Sequence, residues 1–210
     1  MNEYRKIQTI FKREEESGRL IEGGFSKPEF DLLKDIDWTF TEKINGTNIR
    51  VVWDGSNVYF KGRTEKSETP KYLLDKLDQL FTNYKMWRIF GNTPVCLYGE
   101  GYGHKIQKEG DYYIDNDVSF IIFDCKINNW WIQRGDVENI AHALNIEIVP
   151  IIAGGSLLKA VQLVTIGFES RVAKHPLTAE GLVIKPPYEL FDRKGNRIIT
   201  KIKYKDFNHG

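Results

Sequence analysis

Between Trp38 and Glu65 the chain reads WTFTEKINGTNIRVVWDGSNVYFKGRTE, in which bulky and polar residues alternate with a period of two. That period sends successive side chains to opposite faces of an extended strand, so the segment is committed to β-sheet. Asn45-Gly46 and Asp54-Gly55 punctuate it, and such pairs favour hairpins because both central residues of a type I′ turn take positive φ. A meander of at least three strands is predicted. The period then changes. KYLLDKLDQLFTNYKMWRIF repeats Leu73, Leu74, Leu77, Leu80 and Phe81 at helical spacing and stops near Gly91.

Beyond that helix, TPVCLYGEGYG reads as a strand ending in glycines, and VSFIIFDCKINNWWIQ as another hairpin, turning at Asn128-Asn129. RGDVENIAHALN and SLLKAVQLVTIGFESRVAKH are helical stretches, whereas EGLVIKPP and RIITKIKYKDF are strands. At the other end, Tyr4, Ile7, Ile10 and Phe11 share a helical spacing that SGR and EGGFSKP break, which predicts a short helix over 2–16 and then a loop. Strands and helices come in mixed blocks. That favours an α+β domain with antiparallel sheets over a doubly wound parallel one. With 210 residues, one domain spanning 1–210 is expected, with an N-terminal helix and loop segment over 1–37 and a core over 38–207.

Thirty Lys and Arg against 29 Asp and Glu leave a net charge of +1. Bulk charge therefore cannot hold the chain on nucleic acid, and any such binding must come from local placement. Cys96 and Cys125 sit in apolar runs without metal-ligand spacing, which suits buried free thiols in a reducing compartment. The charged start and the lack of a long apolar run point away from membranes. A cytoplasmic, monomeric protein is expected, cell- or virus-encoded.

Four short segments pair a strand with a charge that is awkward to bury: Lys43 in EKINGTN, Glu100 in CLYGEGYG, Glu180 in EGLVIKP, and Lys201 with Lys203 in TKIKYK. Each has a bland reading, since edge-strand lysines are commonly solvated and a glutamate beside glycine is commonly a turn residue. Together, and in this order, KINGTN, LYGEG, FIIFDC, EGLVIKP and KIKY resemble motifs I, III, IIIa, IV and V of the covalent nucleotidyltransferases, the polynucleotide ligases and mRNA capping enzymes. The match spans Lys43 to Lys203 and leaves the Asn45-Gly46 hairpin as the lysine's scaffold. Where DNA ligases and capping enzymes commonly carry Asp and Arg in motif I, this chain has Asn45 and Asn48, which is similar to RNA ligases of the RNA-editing and phage-repair type.

The resemblance implies an ATP-dependent RNA ligase reduced to its nucleotidyltransferase (adenylation) domain, with no C-terminal OB domain and with 38–207 as the catalytic core. Lys43 would attack the α-phosphate of ATP, with Lys201 and Lys203 holding that phosphate and helping to strip the Lys43 proton. An i, i+2 spacing on a strand lets both reach one phosphate. Glu100 would bind the ribose hydroxyls and Phe123 stack on the purine, Phe120 pointing to the opposite face. Glu180 would hold Mg²⁺ or Mn²⁺, and Glu42 would offer backbone groups to the adenine edge. Asn48 joins the nucleotide site, as does Arg63 as the basic motif Ia residue, with Lys61 and Lys66 as competitors. The partner implied is RNA with 5′-phosphate and 3′-hydroxyl ends. A DNA nick ligase, a capping-type guanylyltransferase and a non-catalytic end-binding module remain alternatives. His104, His142, His175 and His209 share no metal-site spacing, and YGEGYGHK lacks the context of a P-loop or dinucleotide fingerprint.

Overall fold

The computed structural model describes residues 3–208. In chain order it forms β1 (Gln8–Thr9), β2 (Phe11–Arg13), β3 (Leu20–Phe25), α1 (Pro28–Leu32), β4 (Trp38–Glu42), β5 (Thr47–Trp53) and β6 (Val58–Gly62). Next come α2 (Lys71–Leu80), α3 (Asn83–Phe90), β7 (Val95–Gly103), α4 (Gly110–Tyr113), β8 (Val118–Ile127), β9 (Trp130–Trp131), α5 (Arg134–Leu144) and β10 (Glu147–Ile148). The last elements are β11 (Ile151–Gly155), α6 (Leu157–Ile166), β12 (Gly181–Lys185) and β13 (Thr200–Lys203). No helix among the described residues is long and apolar enough to cross a membrane.

The chain divides into two units with a core each. One comprises the described residues up to Arg5, Asn45–Val149 and Ala173–His175. Its sheet runs β10-β8-β7-β5-β6, with β9 paired to β8, and every pairing is antiparallel except β10 with β8. Ile49, Val51, Leu97, Phe120 and Ile122 pack one face against Leu73, Leu77 and Phe81 and against Val137 and Leu144 of α5. Full burial contributes about 1.5–3 kcal/mol per large apolar side chain, so this layer is the unit's main source of stability. Cys96 and Cys125 are buried free thiols here, and burial raises the pKa of both.

The other unit comprises Lys6–Ile44, Pro150–Val172 and the described residues from Pro176 onward. Its sheet has the order β1-β13-β12-β4-β11. Phe40, Leu182, Ile184 and Ile202 face a core completed by Leu157, Ala160 and Val164 of α6. Those three α6 positions fall on one helical stripe. Ser156 starts the helix by accepting from the Lys159 amide, and Gly167 ends it with φ of 84°, a left-handed conformation that glycine adopts without penalty.

Several expectations need correction. No helix forms in the described part of 2–16: Gln8–Thr9 pairs in parallel with Thr200–Lys201, and Phe11 pairs with Phe25. The edge of β13 carries backbone groups that need partners, and the Ile10 amide donates to the Lys201 carbonyl at 3.1 Å. The helix predicted across 71–90 is two, because Thr82 turns extended and its hydroxyl caps α3 through the Lys85 amide. Asn45-Gly46 makes no hairpin, since β4 and β5 belong to different sheets and neither Asn45 nor Gly46 has positive φ. Asp54-Gly55 does make one, with Asp54 Oδ1 accepting from the Ser56 and Asn57 amides.

Gly46 is required for a different reason. A Cβ there would stand 2.4 Å from the Gly101 carbonyl oxygen and 2.6 Å from Glu100 Cγ, and backbone cannot move aside as a flexible side chain can. Gly46→Ala is therefore expected to destabilise the protein by about 2 kcal/mol, a fall in Tm of roughly 4–8 °C. Thermal unfolding followed by circular dichroism measures it, and an unchanged Tm would contradict the close approach.

Candidate active site

The strand order β13-β12-β4 decides where four charged residues meet. β12 runs antiparallel to both neighbours, so its first residues lie beside the last residues of β4 and β13: Leu182 opposite Glu42, and Gly181 opposite Lys203. Backbone bonds fix the junction, from the Lys43 amide to the Gly181 carbonyl and from the Tyr204 amide to the Glu180 carbonyl, both at 2.9 Å. Gly181 has φ of 148°, and a Cβ on it would stand 2.1 Å from the Ile202 carbonyl oxygen. Only glycine allows this approach.

Glu180 bridges two amines. Its Oε2 lies 2.6 Å from Lys43 Nζ and its Oε1 lies 2.6 Å from Lys203 Nζ. Lys201 and Lys203 share the face opposite buried Thr200 and Ile202, as strand alternation requires. Lys201 forms no salt bridge among the described residues. Burial, then repulsion from Lys43 and Lys203, brings its pKa down to about 8. Three amines against one carboxylate make a site that favours an anion.

Glu42 points elsewhere. Its carboxylate is buried on the core face, where it accepts from the Ser170 hydroxyl and, at 2.8 Å, from the Arg171 amide. Burial raises its pKa. Its own amide donates to the Pro150 carbonyl at 3.0 Å, so that N–H is already engaged.

The remaining candidates stand in the other unit. Asn48 and Glu100 are direct partners across β5 and β7, and residues opposite each other in an antiparallel pair project to one face. The Asn48 Oδ1 atom is buried with no hydrogen-bond partner, a costly state that a bound donor would relieve. Phe123 sits at a register shift in β8 and meets Tyr4 edge-on, ring centroids 5.1 Å apart, while the Tyr4 hydroxyl donates to Asp124 Oδ2 at 2.7 Å. Phe120 belongs to the core against Phe81. Arg63 is exposed just past β6, its competitors Lys61, within β6, and Lys66, beyond it, are exposed too, and Lys61 pairs with Glu65 at 3.1 Å.

Residues that no motif signals pin the motif I turn. Asn45 Nδ2 donates to Glu109 Oε2 at 2.6 Å, the Asn45 amide donates to the Tyr113 hydroxyl at 3.3 Å, and Gln107 Nε2 donates to the Gly46 carbonyl at 3.0 Å. Sequence separations of 61 to 68 residues hide these partners. Among the described residues the histidines form no cluster: His175 pairs with Asp115 and His104 with Asp111, while His209 lies outside those residues. No group of three or more His, Cys, Asp or Glu among the described residues is arranged to hold a metal. Glu180 is the carboxylate at this junction that would hold a divalent cation, whose charge would offset that of phosphate.

This fold is that of RNA ligase nucleotidyltransferases. A Naegleria gruberi RNA ligase, as an arginine-to-alanine variant with ATP and Mn, superposes with a TM-score of 0.69 at 19% identity, covering 97% of this chain and 56% of that one. A lysine-to-methionine variant of that ligase with AMP and Mn gives 0.64 at 18% identity, covering 84% and 52%. The same ligase with PPi gives 0.64 at 20% identity with the same coverage, 84% and 52%. At these identities the likeness speaks for the fold, and the chain spans about half the length of those it matches. No curated protein matches it. The RNA ligase family model matches residues 36–204, and the chain belongs to the RNA ligase family.

Proposed function

We propose that this chain is a single nucleotidyltransferase domain of an ATP-dependent RNA ligase that works through a covalent lysyl-AMP. The observation that carries this reading is the meeting of Lys43, Glu180, Lys201 and Lys203 at the ends of three neighbouring strands.

An ion-paired ammonium has no lone pair, so Lys43 Nζ must first give up a proton, and Glu180 Oε2 at 2.6 Å is placed to accept it. Nζ then attacks the α-phosphorus, a P–N bond forms, and the bond to pyrophosphate breaks. Lys201 and Lys203 hold the charge that grows on the α-phosphate oxygens. Bound at Glu180, Mg²⁺ or Mn²⁺ would supply further neutralisation of phosphate charge. In the reaction sequence that follows, AMP passes to the 5′-phosphate of an RNA end, and a 3′-hydroxyl displaces it to join the strands. Glu100, Phe123, Asn48, Arg63 and, because its N–H is held by Pro150, the carbonyl of the Glu42 backbone are assigned to the nucleotide, supported by the motifs and by the unpartnered Asn48 Oδ1.

Incubation of the protein with ATP labelled at the α-phosphate and Mg²⁺, followed by a denaturing gel, tests this reading. A labelled band that survives denaturation is the expected result. Label from GTP and not ATP would indicate capping chemistry, and no label from either would leave an end-binding module. Sealing of nicked RNA against nicked DNA by the adenylylated protein separates RNA ligase from DNA ligase.

A further inference from the structure

Helix α3 presents a surface that its fold does not require. Met86 is fully buried and Ile89 and Phe90 pack on the core, yet Tyr84 and Trp87 are 68% and 55% exposed. Their i, i+3 spacing sets both rings on one stripe. One turn on from Tyr84, the Arg88 guanidinium lies over the Tyr84 ring, 6.0 Å from its centroid. Two exposed aromatic rings beside a planar cation suit the stacking of further flat rings.

Along this stretch of chain the charge has one sign. From Phe81 to Gly99 the sequence carries Lys85 and Arg88 and neither Asp nor Glu, in a chain with 29 acidic residues. A polyanion approaching this stretch meets no carboxylate from it. The helix is also held firmly: Thr82 caps its start, Asn83 Oδ1 accepts from the Val58 amide at 2.9 Å, and the Gly91 amide donates to the Trp87 carbonyl at 2.8 Å. A fixed platform loses little entropy when a base settles on it. Two rings are too small a patch for a stable protein interface, which needs about 800 Å² per partner.

We infer that Tyr84, Trp87 and Arg88 form a stacking platform that holds bases of single-stranded RNA. The choice of RNA rests on the ligase activity proposed above. Stacking tolerates any base, so the platform grips the strand without selecting its sequence, as suits an enzyme that joins ends.

Fluorescence anisotropy with a fluorescein-labelled oligouridylate tests it. Tyr84→Ala and Trp87→Ala should each weaken binding about tenfold, and Trp87→Phe, which keeps a stacking face, less than about threefold. Arg88→Gln should also make affinity less steeply dependent on salt. All four variants should still form lysyl-AMP with labelled ATP. Unchanged RNA affinity in the two alanine variants would overturn the inference, as would a change in sedimentation with no change in RNA affinity, which would mark a protein contact instead. For the unaltered protein, ultraviolet cross-linking to 4-thiouridine RNA and mass spectrometry should place adducts on the peptide holding Tyr84 and Trp87. Adducts confined to other peptides would refute the platform even if every variant misfolded. RNA binding of the expected pattern without lysyl-AMP would instead defeat the ligase reading and leave the platform standing.

Discussion

Lys43→Ala is expected to abolish labelling of the protein by α-labelled ATP, a loss of at least about 10³-fold, because no other group replaces a missing covalent nucleophile. The substitution leaves Glu180 in company, since Lys203 Nζ still lies 2.6 Å from its Oε1. No carboxylate is stranded, so the circular dichroism spectrum and Tm should stay close to those of the unaltered protein. Joining of RNA that already carries a 5′-adenylate forms no bond to lysine, so it should survive in the variant. A label persisting on Lys43→Ala would move the nucleophile elsewhere and dissolve the assignment. Loss of label together with loss of fold would mean that the lysine serves structure first.

Lys201→Met should make the protein more stable and the adenylylation step slower. In the folded chain the Lys201 ammonium is partly desolvated and faces Lys43 and Lys203, which is why its pKa falls from the ordinary 10.5 to about 8. Between those values the unfolded chain binds more protons than the folded one, so stability rises with pH through that window. The cost of the charge is complete below about pH 8 and gone above about 10.5. Discounted for solvent screening at a half-exposed site, it is on the order of 1 kcal/mol, so Tm should rise by roughly 2–4 °C at pH 7. The gap between variant and unaltered protein should close as pH climbs from 8 to 10.5. Removing a charge aimed at the transition state should slow lysyl-AMP formation by about 10²–10³-fold. A gap that stays constant across that pH range would show that the methionine acts through packing and not charge.

What could be read from the sequence follows from how far apart the causes lie. Lys201 and Lys203 were legible because strand alternation is local: one spacing of two residues fixes a shared face. β5 with β6 and β8 with β9 were legible because Asp54-Gly55 and Asn128-Asn129 carry their turn chemistry on the spot. The Asn45-Gly46 pair misled, since its glycine answers to the Gly101 carbonyl and its asparagine to Glu109, contacts that only the tertiary fold creates. The N-terminal segment misled for a related reason. Ile10 and Phe11 are buried side by side and the preceding residues complete the edge of β13, a demand made by a strand almost two hundred residues away.

The unit that carries Lys43, Glu180, Lys201 and Lys203 is woven from three separate stretches of chain, and its central strand β12 follows β4 only after the whole of Asn45–Val149 has intervened. During translation, Trp38 and Phe40 therefore emerge long before Leu182, Ile184 and Ile202 exist to cover them. At about 5–20 residues per second the wait is on the order of ten seconds. Residues 45–149 supply all six strands of the other sheet and can condense meanwhile. Lys43 thus gains Glu180, Lys201 and Lys203 last, so a chain truncated before β12 carries the lysine without the side chains that surround it in the folded unit.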